Sequence, residues 1–170
     1  MELVKYPAPI LKKRAVAVVT FNRKLARIAD EMLELMYRHN GLGLAAPQAG
    51  MSSKIIVANP SGLEKDEIVL VNPQIAEFAG ESSHEEGCLS FPGIFARIER
   101  PRRVLCAAKA LSGRDLVVDC DGLLARILQH EIDHLDGVLL VDRMNTAQRK
   151  TCEPDLRRLR KEYRNRDACP

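Results

Sequence analysis

The sequence contains no apolar run approaching the roughly 20 residues that cross a bilayer, so no spanning helix is expected. Its start carries Lys5, Pro7, Pro9, Lys12, Lys13 and Arg14, with no uninterrupted apolar stretch and no small-residue cleavage site. That pattern argues against a secretory leader. Cysteine is unpaired in its spacing: the five residues Cys88, Cys106, Cys120, Cys152 and Cys169 are odd in number and form no disulfide framework. They read as thiols of a reducing compartment, where a special one is a metal ligand or a nucleophile rather than half of a bridge. Internal repeats, low-complexity tracts and long linkers are also missing, which argues against solenoids and separated domains. What remains, 170 residues with 46% hydrophobic and 29% charged, is an ordinary globular composition. A single domain spanning residues 1–170 is expected. A chain of this length buries roughly 70% of its unfolded surface, so nothing demands a partner for folding. A cytoplasmic monomer is the expectation.

The net charge of +3 is unevenly spread. From Arg143 onward there are nine Lys or Arg against four Asp or Glu, a local +5, which leaves −2 for the body. A basic C-terminal extension at about 147–170 is either a solvated helix or a surface for an anionic partner. Nothing indicates a membrane or a specific DNA partner.

Leu25, Ile28, Ala29, Met32, Leu35 and Met36 recur at helical spacing between charged residues. The periodicity predicts an amphipathic helix over 22–39, capped by Thr20 or Asn22 and followed by Gly41. Residues 1–20 read as an extended arm and 41–50 as a glycine-rich loop. Short runs at 54–58, 68–71, 74–78, 94–99, 103–109 and 116–118 read as strands, bounded by Pro, Gly, Asn or Ser. A hairpin turn falls at 112–115. A second helix spans 121–136 and stops at Gly137. A short strand at 138–141 and a basic helix after Pro154, over 155–166, complete the pattern. The fold class is α+β: short, mostly antiparallel strands around a central helix, plus an N-terminal and a C-terminal helix.

The second helix contains His130-Glu131-Ile132-Asp133-His134. Residues four apart leave a helix on one face, so the two imidazoles can hold one metal ion. Glu131 starts beside the first ligand, where its carboxylate can work on a water at the metal without ligating. Leu123, Leu124, Ile127, Leu128 and Leu135 give the helix an apolar face, which argues against two merely solvated histidines. The third ligand is not in the motif. A metzincin has another His six residues past the second, where this chain has Leu140. A distant Glu of the thermolysin kind is not excluded by spacing. Cys88, in Glu85-Glu86-Gly87-Cys88-Leu89-Ser90 between a polar loop and a strand, is the better candidate. A thiolate and two imidazoles leave the fourth tetrahedral position open for chemistry. Gly41-Leu42-Gly43-Leu44-Ala45-Ala46 formally matches a dinucleotide fingerprint, but a helix precedes it and Pro47 and Gly50 follow. The fingerprint needs a strand before and a helix after, so that reading fails. Its glycines instead let a peptide backbone approach, with Gln48 close by.

Three segments together resemble the peptide deformylases: Gly41-Leu-Gly-Leu-Ala-Ala-Pro-Gln48, Glu86-Gly-Cys-Leu-Ser90 and Gln129-His-Glu-Ile-Asp-His134. Tyr6-Pro-Ala-Pro-Ile-Leu11 and Leu70-Val-Asn-Pro73 are also similar, so the likeness covers about residues 3–145. The resemblance implies removal of the formyl group from the N-terminal methionine of nascent polypeptides. It implies Fe(II), replaceable by Zn, Ni or Co, held by Cys88, His130 and His134. The residues alone do not choose the metal, because thiolate plus imidazole suits zinc as well as iron. Glu131 would move the proton. The Gln48 amide and the Leu89 backbone N–H would face the developing oxyanion, each worth about 3 kcal/mol when well placed. Gly43, Leu44, Glu86 and Gly87 would flank the peptide backbone. Leu123, Arg126 and Ile127 would line the methionine pocket. Arg126 and His84 are polar where some relatives are apolar, and the Arg126 stem is expected along the pocket wall with its charge outside. Arg100 is expected to pair with Glu86 and hold the Cys88 segment. His39, at a helix end that favours a cation, reads as structural. Cys106, Cys120, Cys152 and Cys169 read as non-catalytic. The basic C-terminal helix resembles the extension by which some members dock on the ribosome.

Two alternatives stand beside this reading. A zinc peptidase would use the same histidine motif with a glutamate in place of Cys88. A catalytically silent homologue that binds ribosomes or nascent chains would have lost Glu131, Cys88 or Gln48; all three are present.

Overall fold

The computed structural model describes residues 1–63 and 66–167; Cys169 lies outside the described residues. The arm at the start contains one 3-10 turn, Pro9–Lys12. Helix α1 (Arg23–Arg38) follows. Asn22, rather than Thr20, caps it: its side chain accepts from the backbone N–H groups of Lys24 and Leu25. Leu25, Ala29, Met32, Leu35 and Met36 are buried, and all but Ala29 pack in one core with Leu44, Ile55, Val57 and Val71. Asn40 takes the left-handed conformation at φ 53, and the Gly41 N–H closes back on the Met36 carbonyl at 2.9 Å. Asparagine tolerates that conformation, so the left-handed turn that ends the helix falls on Asn40, one residue before Gly41.

The expected loop at 41–50 is corrected. Gly43–Ala45 is strand β1, and Ala46–Ala49 is a 3-10 turn. Three residues are too short a run to show a period of two; pairing with β2 (Ile55–Ala58) makes the strand. Strand β3 (Ile68–Ala79) joins two runs expected to be separate, with shifts of register after Val71 and after Ile75. The first shift contains Pro73, which has no N–H for a ladder. Beside it Asn72 sits at φ 53, and its amide bonds both the N–H and the carbonyl of Val18, each at 2.8 Å. One side chain thus does the work of a neighbouring strand for the arm.

The expected polar loop before Cys88 is also corrected: Ser82–Gly87 is strand β4, paired with β5 (Phe95–Arg100) in a separate hairpin. Its sequence offers no apolar alternation, so only its partner strand reveals it. Strands β6 (Arg103–Lys109) and β7 (Asp115–Asp121) complete an antiparallel five-stranded sheet of order β1-β2-β3-β6-β7. Helix α2 (Gly122–Leu135) lays Leu128 and Leu135 on Ala45, Ile56, Leu70 and Cys106 of this sheet. The α+β expectation therefore holds, with the histidine helix at the centre.

The short strand expected at 138–141 is absent. Leu139, Leu140 and Val141 are buried, and Leu140–Arg143 is one helical turn, α3, started by the Asp142 carboxylate accepting from the Leu139 N–H at 3.0 Å. A four-residue apolar run suits either structure, and burial without a pairing partner decides it. Helix α4 (Thr146–Asp167) begins well before Pro154, which lies inside it. Asn145 and Gln148 cap each other's backbone N–H, both at 2.9 Å, and so set the start. Leu156 and Leu159 of α4 pack with Tyr6, Leu11 and Phe91 in one core. Arg160 lies over the Tyr6 ring, 5.7 Å from its centroid, and donates to its hydroxyl. Among the described residues no helix is long and apolar enough to cross a membrane.

Candidate active site

A cleft of about 580 Å³ opens between α2, β1 and the β4–β5 hairpin. Its floor is α2. His130 and His134 leave one face of that helix, their ring centroids 5.1 Å apart. Cys88 enters from the hairpin, in the turn after β4. The ligand atoms of Cys88, His130 and His134 all lie within 4.8 Å of one another. Cys88 Sγ is 3.2 Å from His134 Nε2 and 3.6 Å from Gln48 Nε2. The Gln48 amide cannot turn freely, because its Oε1 accepts the Ala45 N–H at 2.8 Å, which aims its N–H groups at the thiol.

The N-terminal arm ties the two loops that carry these groups. Val4 N–H donates to the Gln48 carbonyl, Tyr6 N–H donates to the Ser90 carbonyl, and Ser90 Oγ donates to the Val4 carbonyl. Tyr6 stacks on Phe91 at 4.8 Å. This stitching was not read from the sequence, where the arm offered only two prolines.

Glu131 is 4% exposed, and its Oε2 is buried with no hydrogen-bond partner among the described residues. Burial pushes its carboxyl up to about 7. Its other oxygen lies where a side chain on Gly43 would sit: an added Cβ would come within 2.5 Å of Glu131 Oε1 and 2.7 Å of Ile127 Cγ2. The glycine is needed there for close approach, not for its turn. Burial pulls His134 well below the usual imidazole range, and the positive charge of His130 adds to it. Burial pulls His130 down too, but its contacts with Cys88 and Glu86 win and raise it.

Behind the site a chain of charges runs to the surface. His130 Nδ1 meets Glu86 Oε2 at 3.0 Å, which leaves Nε2 for the cleft. Arg100 grips Glu86 with Nε at 2.6 Å and Nη2 at 3.0 Å, as the sequence led us to expect. Burial would raise the Glu86 carboxyl, but the hydrogen bonds from His130 and Arg100 outweigh it and hold it down to about 2. Arg100 Nη1 reaches Asp133 at 2.8 Å, and Arg143 of α3 clamps the same carboxylate. Asp133 and Arg143 were missed by sequence reasoning. Asp133 stood inside the histidine motif, three residues from His130, but nothing local names its partner.

The remaining expectations divide. Gly43, Gly87, Leu89, Leu123 and Ile127 line the cleft, Leu123 half exposed at its mouth. The Leu44 side chain is wholly buried in the core, so only its backbone is available. Glu86 lines the cleft too, but its carboxylate is spent on Arg100, Arg126 and His130 rather than on a ligand. Arg126 is the clearest correction: its charge is inside, not outside. The guanidinium is buried and its Nη1 donates to Glu86 Oε1 at 2.5 Å. His84 is exposed. Cys106 and Cys120 sit on β6 and β7 away from the cleft, their thiols raised by burial.

Two imidazoles and one thiol are a donor set for a borderline or soft divalent ion. The unpartnered buried oxygen of Glu131 beside them fits a site completed by something polar that the chain itself does not supply. The residues therefore fit a catalytic metal.

Comparison with known proteins agrees with this geometry. The polypeptide deformylase family model matches residues 1–150. The chain is 45% identical over 152 residues to a peptide deformylase of Thermodesulfovibrio yellowstonii, covering 88% of this chain and 92% of that one. It is 43% identical over 166 residues to the chloroplastic peptide deformylase 1B of Oryza sativa, covering 96% of this chain and 62% of the longer plant protein. Among solved structures, Arabidopsis thaliana peptide deformylase 1B superposes with a TM-score of 0.94 at 40% identity, covering 100% of this chain and 96% of that one. The Plasmodium falciparum peptide deformylase superposes with a TM-score of 0.93 at 38% identity, covering 96% and 98%. With the three motif-bearing segments converging on one site, two of them carrying the candidate ligands and the third Gln48, and with this likeness over nearly its whole length, the chain belongs to the peptide deformylase family.

Proposed function

We propose that this chain removes the N-formyl group from the N-terminal formylmethionine of nascent polypeptides with Glu131 as its acid–base residue. The observation that carries the assignment is the convergence of Cys88, His130 and His134 beside the buried, unpartnered Glu131 carboxylate. A divalent ion held by those three residues supplies Lewis acidity and lowers the pKa of a water. Fe(II) is the resident ion on this reading, with Zn, Ni or Co able to replace it. Glu131 takes the proton of the attacking water and returns it to the leaving amine, so that formate and a free amine result. The formyl oxygen gains charge as its carbon becomes tetrahedral, and the fixed Gln48 amide and the Leu89 N–H face it. The substrate backbone lies between two strands, β1 at Gly43 and Leu44 and β4 at Glu86 and Gly87, whose outer edges border the cleft. Leu123, Ile127 and the stem of Arg126 take the methionine side chain.

The direct test is formate release from a formyl-Met tripeptide by protein purified without oxygen and loaded with Fe(II). Rapid release from the formylated peptide, with no cleavage of internal peptide bonds, is the expected result. Cleavage of internal bonds would instead favour the zinc peptidase, and binding without release would favour the silent homologue. A second outcome concerns Gly43. Gly43→Ala is expected to lower kcat by about 100-fold at unchanged circular dichroism, because the added methyl displaces the Glu131 carboxylate from its position for proton transfer.

The partner at the surface is proposed to be the ribosome. Helix α4 keeps Leu156 and Leu159 inward, while Arg157 and Arg158 stay on the solvent side. Binding through that face should weaken steeply with added salt. The chain acts there as a cytoplasmic monomer, whereas the rice relative is named chloroplastic.

A further inference from the structure

Arg126 stands four residues before His130, so it leaves α2 on the same face one turn earlier. Its guanidinium is buried, and its hydrogen bonds go to the β4–β5 hairpin. Nη1 donates to Glu86 Oε1 at 2.5 Å and to the Ile98 carbonyl at 3.1 Å. Nη2 donates to the carbonyl and the hydroxyl of Ser82, both at 2.9 Å. The acceptors are spread over the whole hairpin: Ser82 opens β4, Glu86 is near its end, and Ile98 is on β5. This hairpin is not part of the five-stranded sheet, so among the described residues no backbone ladder ties it to the body. Side chains must fix its place against α2. Cys88 directly follows the end of β4, while His130 and His134 ride on α2. Any tilt of the hairpin therefore changes the span from the thiol to the imidazoles.

A residue that only walled an apolar pocket would have no need of a buried charge. Leucine or methionine would fill the space without the cost of desolvating a guanidinium. The planar fork is what lets one side chain hold Glu86, Ile98 and Ser82 together.

We infer that Arg126 is a positioning residue of the metal centre: it bolts both strands of the β4–β5 hairpin to α2 and so sets the spacing of Cys88 from His130 and His134. The inference rests on those three residues being the ligands.

The experiment compares Arg126→Met and Arg126→Lys with wild type, as metal-free and as Co(II)-loaded protein. Methionine keeps the apolar stem and removes all four bonds. Lysine keeps the charge near Glu86 but cannot reach all three partner residues. The Co(II) dissociation constant, measured by chelator competition, is expected to rise about 10- to 100-fold in Arg126→Met. The thiolate-to-cobalt absorption band is expected to shift or weaken with it, and Arg126→Lys to fall between. A residue that only stabilised the fold would lower the melting temperature of the metal-free protein and leave Co(II) affinity and the band at wild-type values; that result overturns the inference. A wild type that binds Co(II) with no thiolate band overturns the ligand assignment, and the inference with it. If Arg126→Met does not fold, Arg126→Lys and Ser82→Ala carry the measurement, with smaller changes of the same sign expected. An unchanged band and affinity in both overturns it.

Discussion

Replacing Glu131 by glutamine is expected to cut kcat by about a thousand- to ten-thousand-fold while metal content and the KM for a formyl-Met peptide stay near wild type. The substitution isolates one property. Glutamine has nearly the size of glutamate, so it fills the same slot against Gly43 and Ile127. It cannot take a proton from water. Its amide would leave His130, His134 and Cys88 untouched as ligands. The buried position also makes the thermal outcome informative. The native carboxyl, 4% exposed, is pushed up to about 7 by burial, so the fold bears a cost for keeping a carboxylate there. A neutral side chain relieves that cost, and the melting temperature should hold or rise, as when active-site strain is removed. Formate release and differential scanning read the two effects separately. Turnover within tenfold of wild type would remove Glu131 from the proton transfer. A melting temperature lower by several degrees would assign the loss to packing.

The part of this site legible in the sequence is the part written within one helix turn. The i, i+4 spacing of His130 and His134 fixes a shared face whatever the surroundings. Leu128 and Leu135, seven residues apart, likewise announce the opposite face that meets the sheet. Cys88 could be named because the histidine pair left a third ligand to be found and the family resemblance then pointed to the same residue; alone it read as a small buried hydrophobe. What stayed hidden depends on partners far along the chain. Ser82–Gly87 is a strand only because β5 lies beside it, and its polar residues give no alternation to read. A guanidinium is normally solvated, so placing the Arg126 charge outside was the sound default. Glu86, forty residues earlier, reverses it. Pro154 suggested a helix start, but the mutual capping of Asn145 and Gln148 sets the start sooner, and the buried Leu156 and Leu159 anchor the helix beyond it. For β4 and Arg126 long-range pairing overrode a local preference, and for α4 a local cap together with the long-range burial of Leu156 and Leu159 did so.

Arg100 shows how much rests on such a partner, and Arg100→Ala carries the second large expected effect. Its guanidinium joins three elements: it sits on β5, takes Glu86 of β4 by two bonds, and reaches Asp133 of α2. Arg100 and Glu86 are 4% and 5% exposed at their side chains, so water cannot replace the lost bonds. Breaking one partner out of a buried pair costs about 3–5 kcal/mol, because the other charge is left in a poor medium. Arg126 still holds Glu86 and Arg143 still holds Asp133, which favours the lower end of that range. For a chain of this size about 3 kcal/mol lowers the melting temperature by on the order of 10 °C. The metal centre should feel it as well. Glu86 would be held by Arg126 alone and less firmly fixed against His130, and loosening the carboxylate that orients a ligating imidazole costs about 10- to 100-fold in metal affinity. Arg100→Lys should recover the smaller share of both losses, since one ammonium cannot span two carboxylates on different elements as the fork does. Denaturation of the metal-free protein and chelator competition on the loaded protein measure the two terms. Wild-type values in both for Arg100→Ala would mean that Arg126 and Arg143 alone hold the acidic pair, and that the charge chain ends one link short of the metal ligands.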